Sequence, residues 1–115
     1  MNIDLKGTNL DLTPSLKTYI NDKFSGITKV IKKFEENGEA ELRIEVARTT
    51  KHHHKGDVFM AEANLNINGK LFRATKTVED VRKAIDIIKD ELQLQIEKYK
   101  DKLSPRRGKI TDESI

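Results

Sequence analysis

Three consecutive histidines bracketed by lysines, Lys51-His52-His53-His54-Lys55, run into Gly56-Asp57 and then into an alternating segment that begins at Val58. Imidazole and ammonium groups offer two chemistries, metal ligation and anion binding. Adjacent loop residues rarely converge on one ion, and zinc sites draw their ligands from separated positions. The chain also has no cysteine to assist. Hydrogen bonding to ribose or phosphate suits the same side chains, with imidazole protonation adding charge below neutrality; a solvated, flexible loop is the competing reading. More cations recur where the apolar pattern is helical: Lys23, Lys29 and Lys33 in one stretch, and Arg82, Lys89, Lys98, Lys100 and Lys102 in another. Lys98 and Lys102 stand one turn apart, while Arg82, Lys89 and Lys100 return to a second, shared flank. A solvated face is the bland alternative for each lysine. Lys23 borders the apolar stripe, where its stem can also simply follow the core edge.

Catalysis finds little support in the same inventory. Glu35-Glu36 and Asp90-Glu91 have no nucleophile or third partner nearby, and no glycine-rich phosphate cradle is present. Tyr99 is able to stack on a base, but it lies on an apolar stripe and reads as core. Ile87 and Leu94 sit off that stripe, as a protein contact or as scattered surface apolars.

The elements that must position these groups follow from composition and period. A chain of 115 residues, 36% of them hydrophobic, supports one domain with a modest core. The absence of cysteine excludes disulfides and thiolate metal sites and fits a reducing cytoplasm. No signal-peptide core opens the chain, and no stretch reaches the ~18 apolar residues of a membrane span. Basic residues number 22 against 19 acidic, for a net +3. Such a balance makes any polyanion binding depend on where the cations lie.

Ile3 and Leu5 alternate with polar neighbours in a first strand closing at Gly7. Thr13 then caps a helix with Pro14 at its first position; its stripe is Leu16, Ile20, Phe24, Ile27, Ile31 and Phe34, and it stops near Asn37-Gly38. After Gly38 the period becomes two, with Ala40, Leu42, Ile44 and Val46 inward. A third strand from about Val58 to Ile67 buries Phe59, Ala61, Ala63, Leu65 and Ile67. Asn68-Gly69 is a two-residue hairpin signal that sets Leu65 opposite Phe72, Ala63 opposite Ala74 and Asn64 opposite Arg73. Thr77 to Asp80 reads as a capping box with Thr77 as N-cap. The helix it opens carries Val81, Ala84, Ile85, Ile88, Leu92, Ile96, Tyr99 and Leu103 on one stripe, and Ser104-Pro105 ends it. The fold class is therefore α+β: a β-α-β-β-β-α order with a parallel first crossover, an antiparallel meander, and both helices on one face of a four-stranded sheet. Residues 1–103 form the domain, and a flexible tail is expected at 104–115.

With that order in place, the chain resembles the ribosome hibernation promoting factor family, also known as sigma-54 modulation or ribosomal subunit interface proteins. The matching pieces are Leu10-Asp11-Leu12-Thr13-Pro14-Ser15-Leu16, the loop from His52 to Phe59, Ala61-Glu62-Ala63, Glu79-Asp80 with Ala84-Ile85-Asp86, and Gln95 with Lys98 to Leu103. The resemblance implies a fold similar to double-stranded RNA-binding domains. It further implies binding between head and body of the small ribosomal subunit, where the domain occupies space used by mRNA and by A- and P-site tRNA, silencing ribosomes in starvation or stationary phase. Its partners would be rRNA and nearby ribosomal proteins, with no cofactor, metal, membrane or small-molecule substrate, and the protein would be a monomer.

The sequence departs from the family pattern in two respects, its cations and its length. Glu91 and Leu94 stand where the family is usually basic, and Asp80-Val81-Arg82 replaces its usual Asp-Met-Tyr, so the RNA footprint is expected to differ. Long members continue into another domain that pairs two ribosomes; ending at Ile115, the chain is expected to lack that pairing function or to depend on another protein for it. The competing function is a regulator that meets a protein partner through Ile87, Leu94 and the open sheet face.

Overall fold

The alternating and helical patterns become six elements in a computed structural model of the protein: β1 (Asn2–Thr8), α1 (Pro14–Lys32), β2 (Ala40–Arg48), β3 (Phe59–Ile67), β4 (Lys70–Val78) and α2 (Val81–Leu103). The residues described are 2–33, 40–49 and 58–103. The sheet order is β1-β2-β3-β4. β1 lies parallel to β2, with Leu5 beside Ile44, and the other two pairings are antiparallel.

Local chemistry accounts for the boundaries. The Thr13 hydroxyl accepts a hydrogen bond from the Leu16 amide at 3.1 Å, and Pro14 follows at the first helical position. A threonine cap of this kind satisfies one of the helix's orphan N–H groups. The chain leaves β1 at Thr8, one residue beyond the expected Gly7. A Cβ at Gly7 would stand 2.5 Å from the Leu10 carbonyl oxygen, so the following turn, with Asn9 at φ 58°, packs against bare backbone. α1 extends to Lys32 with Lys33 as its C-cap; the expected stop at Asn37-Gly38 and the stripe residue Phe34 lie outside the described residues.

The hairpin has the expected register, Leu65 opposite Phe72, Ala63 opposite Ala74 and Asn64 opposite Arg73. Asn68 (φ 49°) and Gly69 (φ 88°) both take positive φ, as the turn between right-twisted strands requires. The Asn66 side chain reinforces it by accepting from the Gly69 amide at 3.1 Å.

Two expectations need correction. Thr77 does not cap α2, because β4 continues through Thr77 opposite Met60 and Val78 opposite Phe59. Asp80 is the cap: its carboxylate accepts from the Arg82 amide at 3.0 Å and its carbonyl from the Ala84 amide at 3.0 Å. Phe59 is half-buried rather than core. It closes the end of β3 opposite Arg48, whose guanidinium carbon lies 5.8 Å from the ring centre.

Elsewhere the inward faces agree. Leu16, Ile20, Phe24, Ile27 and Ile31 of α1 and Ala84, Ile85, Ile88, Leu92 and Ile96 of α2 join the inward residues of β2, β3 and β4 in one buried cluster. Tyr99 packs at its margin, edge-on to Phe72 with ring centres 5.3 Å apart. Ala47 is buried on the opposite side of β2, between its cross-strand neighbours Thr8 and Met60. Both helices cover one face, leaving the other open. No described helix is long and apolar enough to cross a membrane.

Candidate nucleic-acid interface

Where α1 meets α2, five polar side chains interlock. The Tyr19 hydroxyl donates to the Asp86 carboxylate at 2.6 Å, and the Lys23 ammonium reaches the same carboxylate at 3.4 Å. The Tyr19 ring lies beneath two cations, with the Arg82 guanidinium carbon 5.1 Å and the Lys23 nitrogen 5.7 Å from its centre. Arg82 continues to the Ser15 hydroxyl at 3.1 Å. Cation–π contacts of this length hold a cation over a ring without neutralising it. Two cations proposed from separate helices are thus brought together, with one carboxylate between them.

The hydrogen bond to Asp86, partial burial and the negative charge of Asp86 together raise the Tyr19 hydroxyl to about 12, against a smaller opposing effect of Arg82. Its proton therefore stays in place at neutral pH. The Lys23 and Asp86 side chains are each about two-fifths exposed (41% and 40%), so their pairing is weak and screened. An arriving phosphate can take Lys23 from Asp86 at small cost.

The remaining cations of α2 divide between two flanks. Lys89 lies on the Arg82 flank, half-buried and 3.4 Å from Asp90, and Lys100 shares that flank by helical register. Lys98 and Lys102 face the other way and line a cleft against β4 with Lys70, Leu71, Phe72, Gln95 and Tyr99. Lys29 and Lys33 are exposed on α1, Lys29 in its last turn. Lys29, Lys33, Lys98, Lys100 and Lys102 form no ion pair with a described carboxylate. Lys51, His52, His53, His54 and Lys55 lie outside the described residues.

The open sheet face has a different electrostatic character. Glu62 pairs with Arg73 at 2.7 Å and accepts from Asn64 at 3.3 Å, Glu41 meets Arg43 at 3.4 Å, and Glu45 accepts from Thr8 at 2.7 Å. Acids and bases alternate there, so little positive potential survives. Among the described residues, cations with no carboxylate partner lie on the helices and also on the strands, at Lys6, Arg48, Lys70 and Lys76.

Sequence reasoning missed Tyr19, Asp86, Ser15 and Lys70. The first three become neighbours only when helices distant in sequence pack together, and Tyr19 sits beside its stripe at a position that reads as core margin. Lys70 reads as a turn residue after Gly69, yet the hairpin carries it to the end of α2. Of the two off-stripe apolar residues, Ile87 is half-buried and Leu94 is 57% exposed.

Comparison with known proteins adds to this geometry. The family model described as "Sigma 54 modulation protein / S30EA ribosomal protein" matches residues 3–104. A ribosome hibernation promoting factor of Klebsiella oxytoca is 30% identical over 103 residues, covering 90% of this chain and 97% of the relative. A ribosome hibernation promotion factor of Picosynechococcus sp. is 29% identical across 89% of this chain but only 50% of its own length. Among solved structures, the N-terminal domain of Thermus thermophilus Protein Y superposes with a TM-score of 0.66 at 25% identity, covering 86% of this chain and 99% of that one. A ribosomal subunit interface protein from Coxiella burnetii, with a TM-score of 0.63 at 20% identity over 87% of this chain and 98% of that one, shares the fold.

Proposed function

The chain belongs to the sigma 54 modulation protein / S30EA ribosomal protein family, and from that membership we propose that it is a ribosome hibernation factor whose helical side binds small-subunit rRNA. It acts by occupancy and carries out no chemical reaction. Lodged between head and body of the subunit, the domain excludes mRNA and A- and P-site tRNA, and it does so in the cytoplasm during stress or stationary phase.

One observation supports the reading beyond family membership: Lys29, Lys33, Lys98, Lys100 and Lys102 have no described carboxylate partner, while the open sheet face pairs Glu62 with Arg73 and Glu41 with Arg43. Lys23 and Arg82 grip phosphate from the helix seam, Lys29 and Lys33 extend the contact along α1, and Lys89, Lys98, Lys100 and Lys102 along α2. Lys51, Lys55 and the histidines 52–54 contribute from the loop before β3. Backbone and shape contacts dominate, as is usual for structured RNA.

Co-sedimentation of the protein with purified small subunits tests this directly. Binding should be competed by tRNA. With about six phosphates neutralised, affinity should fall about 10³-fold between about 50 and 200 mM salt. Retention that ignores tRNA, or that persists on a partner protein after nuclease treatment, would assign the domain to protein interaction instead.

A further inference from the structure

The end of β2 and the start of β3 hold a pair of side chains that the helix seam does not use. Arg48 and Phe59 face each other across the ladder, and strand alternation puts both on the helix-covered side, as the next inward pair after Val46 and Ala61. Phe59 is half-buried and Arg48 exposed. The guanidinium carbon stands over the ring, 5.8 Å from its centre. Arg48 forms no ion pair with a described carboxylate.

The backbone beside this pair is clamped. Thr49 donates its amide to the Val58 carbonyl at 2.7 Å and its hydroxyl to the same oxygen at 3.1 Å. Two donors on one carbonyl close the ladder just past Arg48. A free arginine side chain gives up rotamer freedom when a ligand holds it. Here the closed strand end and the ring already restrict the side chain, so binding costs less.

Topology brings the pair to the end of the molecule where both helices start. β1 ends at Thr8 beside Ala47 and leads into α1, while β4 ends at Val78 opposite Phe59 and leads into α2. Ser15 and Arg82, which meet in the helix seam, belong to those first turns. Arg48 therefore shares an end of the sheet with the seam, although it lies on a strand.

A guanidinium laid over an aromatic ring keeps its N–H edge free, and that planar edge matches two oxygens of a phosphodiester in a bidentate pair. A carboxylate offers the same two oxygens. The seam cations at this end favour a ligand whose charge repeats, as an RNA backbone does and a single carboxylate does not. We propose that Arg48, seated on Phe59, is a bidentate contact for one phosphate of the RNA backbone. The assignment rests on the reading that the protein binds ribosomal RNA, and it adds a strand residue to a contact otherwise assigned to the helices and the loop.

Small-subunit co-sedimentation and fluorescence anisotropy with a short labelled RNA duplex test it in the full chain. Arg48→Ala should weaken both about tenfold, the order of loss for one charge-assisted hydrogen-bonding partner. It should also lower the slope of log affinity against log salt by about 0.7–0.9. Arg48→Lys should keep the slope, because the charge remains, yet lose several-fold in affinity, because an ammonium has no planar fork. Phe59→Leu should behave like Arg48→Lys, and thermal melting checks that all three variants remain folded; Arg48→Lys decides the matter if Phe59→Leu does not.

An Arg48→Ala variant that binds as the wild type does, or Arg48→Lys at full affinity, overturns the contact. So does a glutamate-rich peptide that binds as tightly as the duplex with the same dependence on Arg48, which would give the site to an acidic protein segment. The wild-type protein keeps the two questions apart: if it sediments with small subunits and the Arg48 variants do so equally, only the phosphate contact falls. If it binds the duplex with the expected dependence on Arg48 but does not bind the subunit, the ribosomal reading falls instead.

Discussion

Tyr19 is where the two helices share a proton as well as a surface. Its hydroxyl is held to about 12 by the bond to Asp86, above the ordinary value of 10.0. A raised folded value means that the native state retains the proton longer than the unfolded chain. The associated stability is therefore fully present below pH 10 or so and is lost as pH rises through about 12. In a spectrophotometric titration Tyr19→Phe should remove a tyrosine ionisation that falls late, near pH 12. If the ionisation lost on Tyr19→Phe falls at the ordinary value of 10.0 instead, Asp86 does not hold this hydroxyl. Because the ring remains, the same variant should keep Arg82 and Lys23 over it, and small-subunit binding should change less than in Arg82→Ala. These contacts were not legible in the sequence, where Tyr19 and Asp86 are separated by most of the domain. What could be read was that Lys23 bordered the stripe, a position that leaves its head free to meet α2.

At the scale of elements, two ends of β4 show what local signals can and cannot specify. Asn68-Gly69 determines the hairpin because the required positive φ is a property of those two residues alone, and the whole β3–β4 register follows from it. The start of α2 is different. Thr77 and Asp80 are both good caps in isolation, and only the ladder to Phe59 and Met60 decides between them. Asp80→Ala should then cost about 0.5–2 kcal/mol of stability, whereas Thr77→Ala on the exposed edge strand should cost well under 1 kcal/mol. Urea unfolding midpoints of the two variants decide the matter, and the reverse ranking would return the cap to Thr77. Ile88, fully buried at the centre of the α2 stripe, provides the comparison in the core. Ile88→Ala should lower stability by about 2–5 kcal/mol in the same assay.

For the molecule as a whole, the question is why a protein with a net charge of only +3 should bind a polyanion at all. The open sheet face answers by neutralising itself: Glu62 with Arg73 and Glu41 with Arg43 hold opposite charges together there, and the excess of positive charge lies on the helices and on Lys70 and Lys76 of β4. The α+β order and the single-sided packing that create this separation were legible, because each strand and each helix has one apolar face. Which cations remain without carboxylates was not, because cross-strand pairing brings together residues far apart in the chain. Reversing charge on the two sides should therefore have unequal effects. Lys98→Glu with Lys102→Glu should weaken small-subunit binding and reduce the slope of log affinity against log salt by about 0.7–0.9 for each phosphate no longer neutralised. Arg43→Glu on the open face changes the net charge of the chain by the same amount as either single reversal. It should leave both quantities nearly unchanged. If all three reversals weaken binding in proportion to net charge alone, the attraction is a property of total charge rather than of its placement, and the helical side has no special claim to the contact.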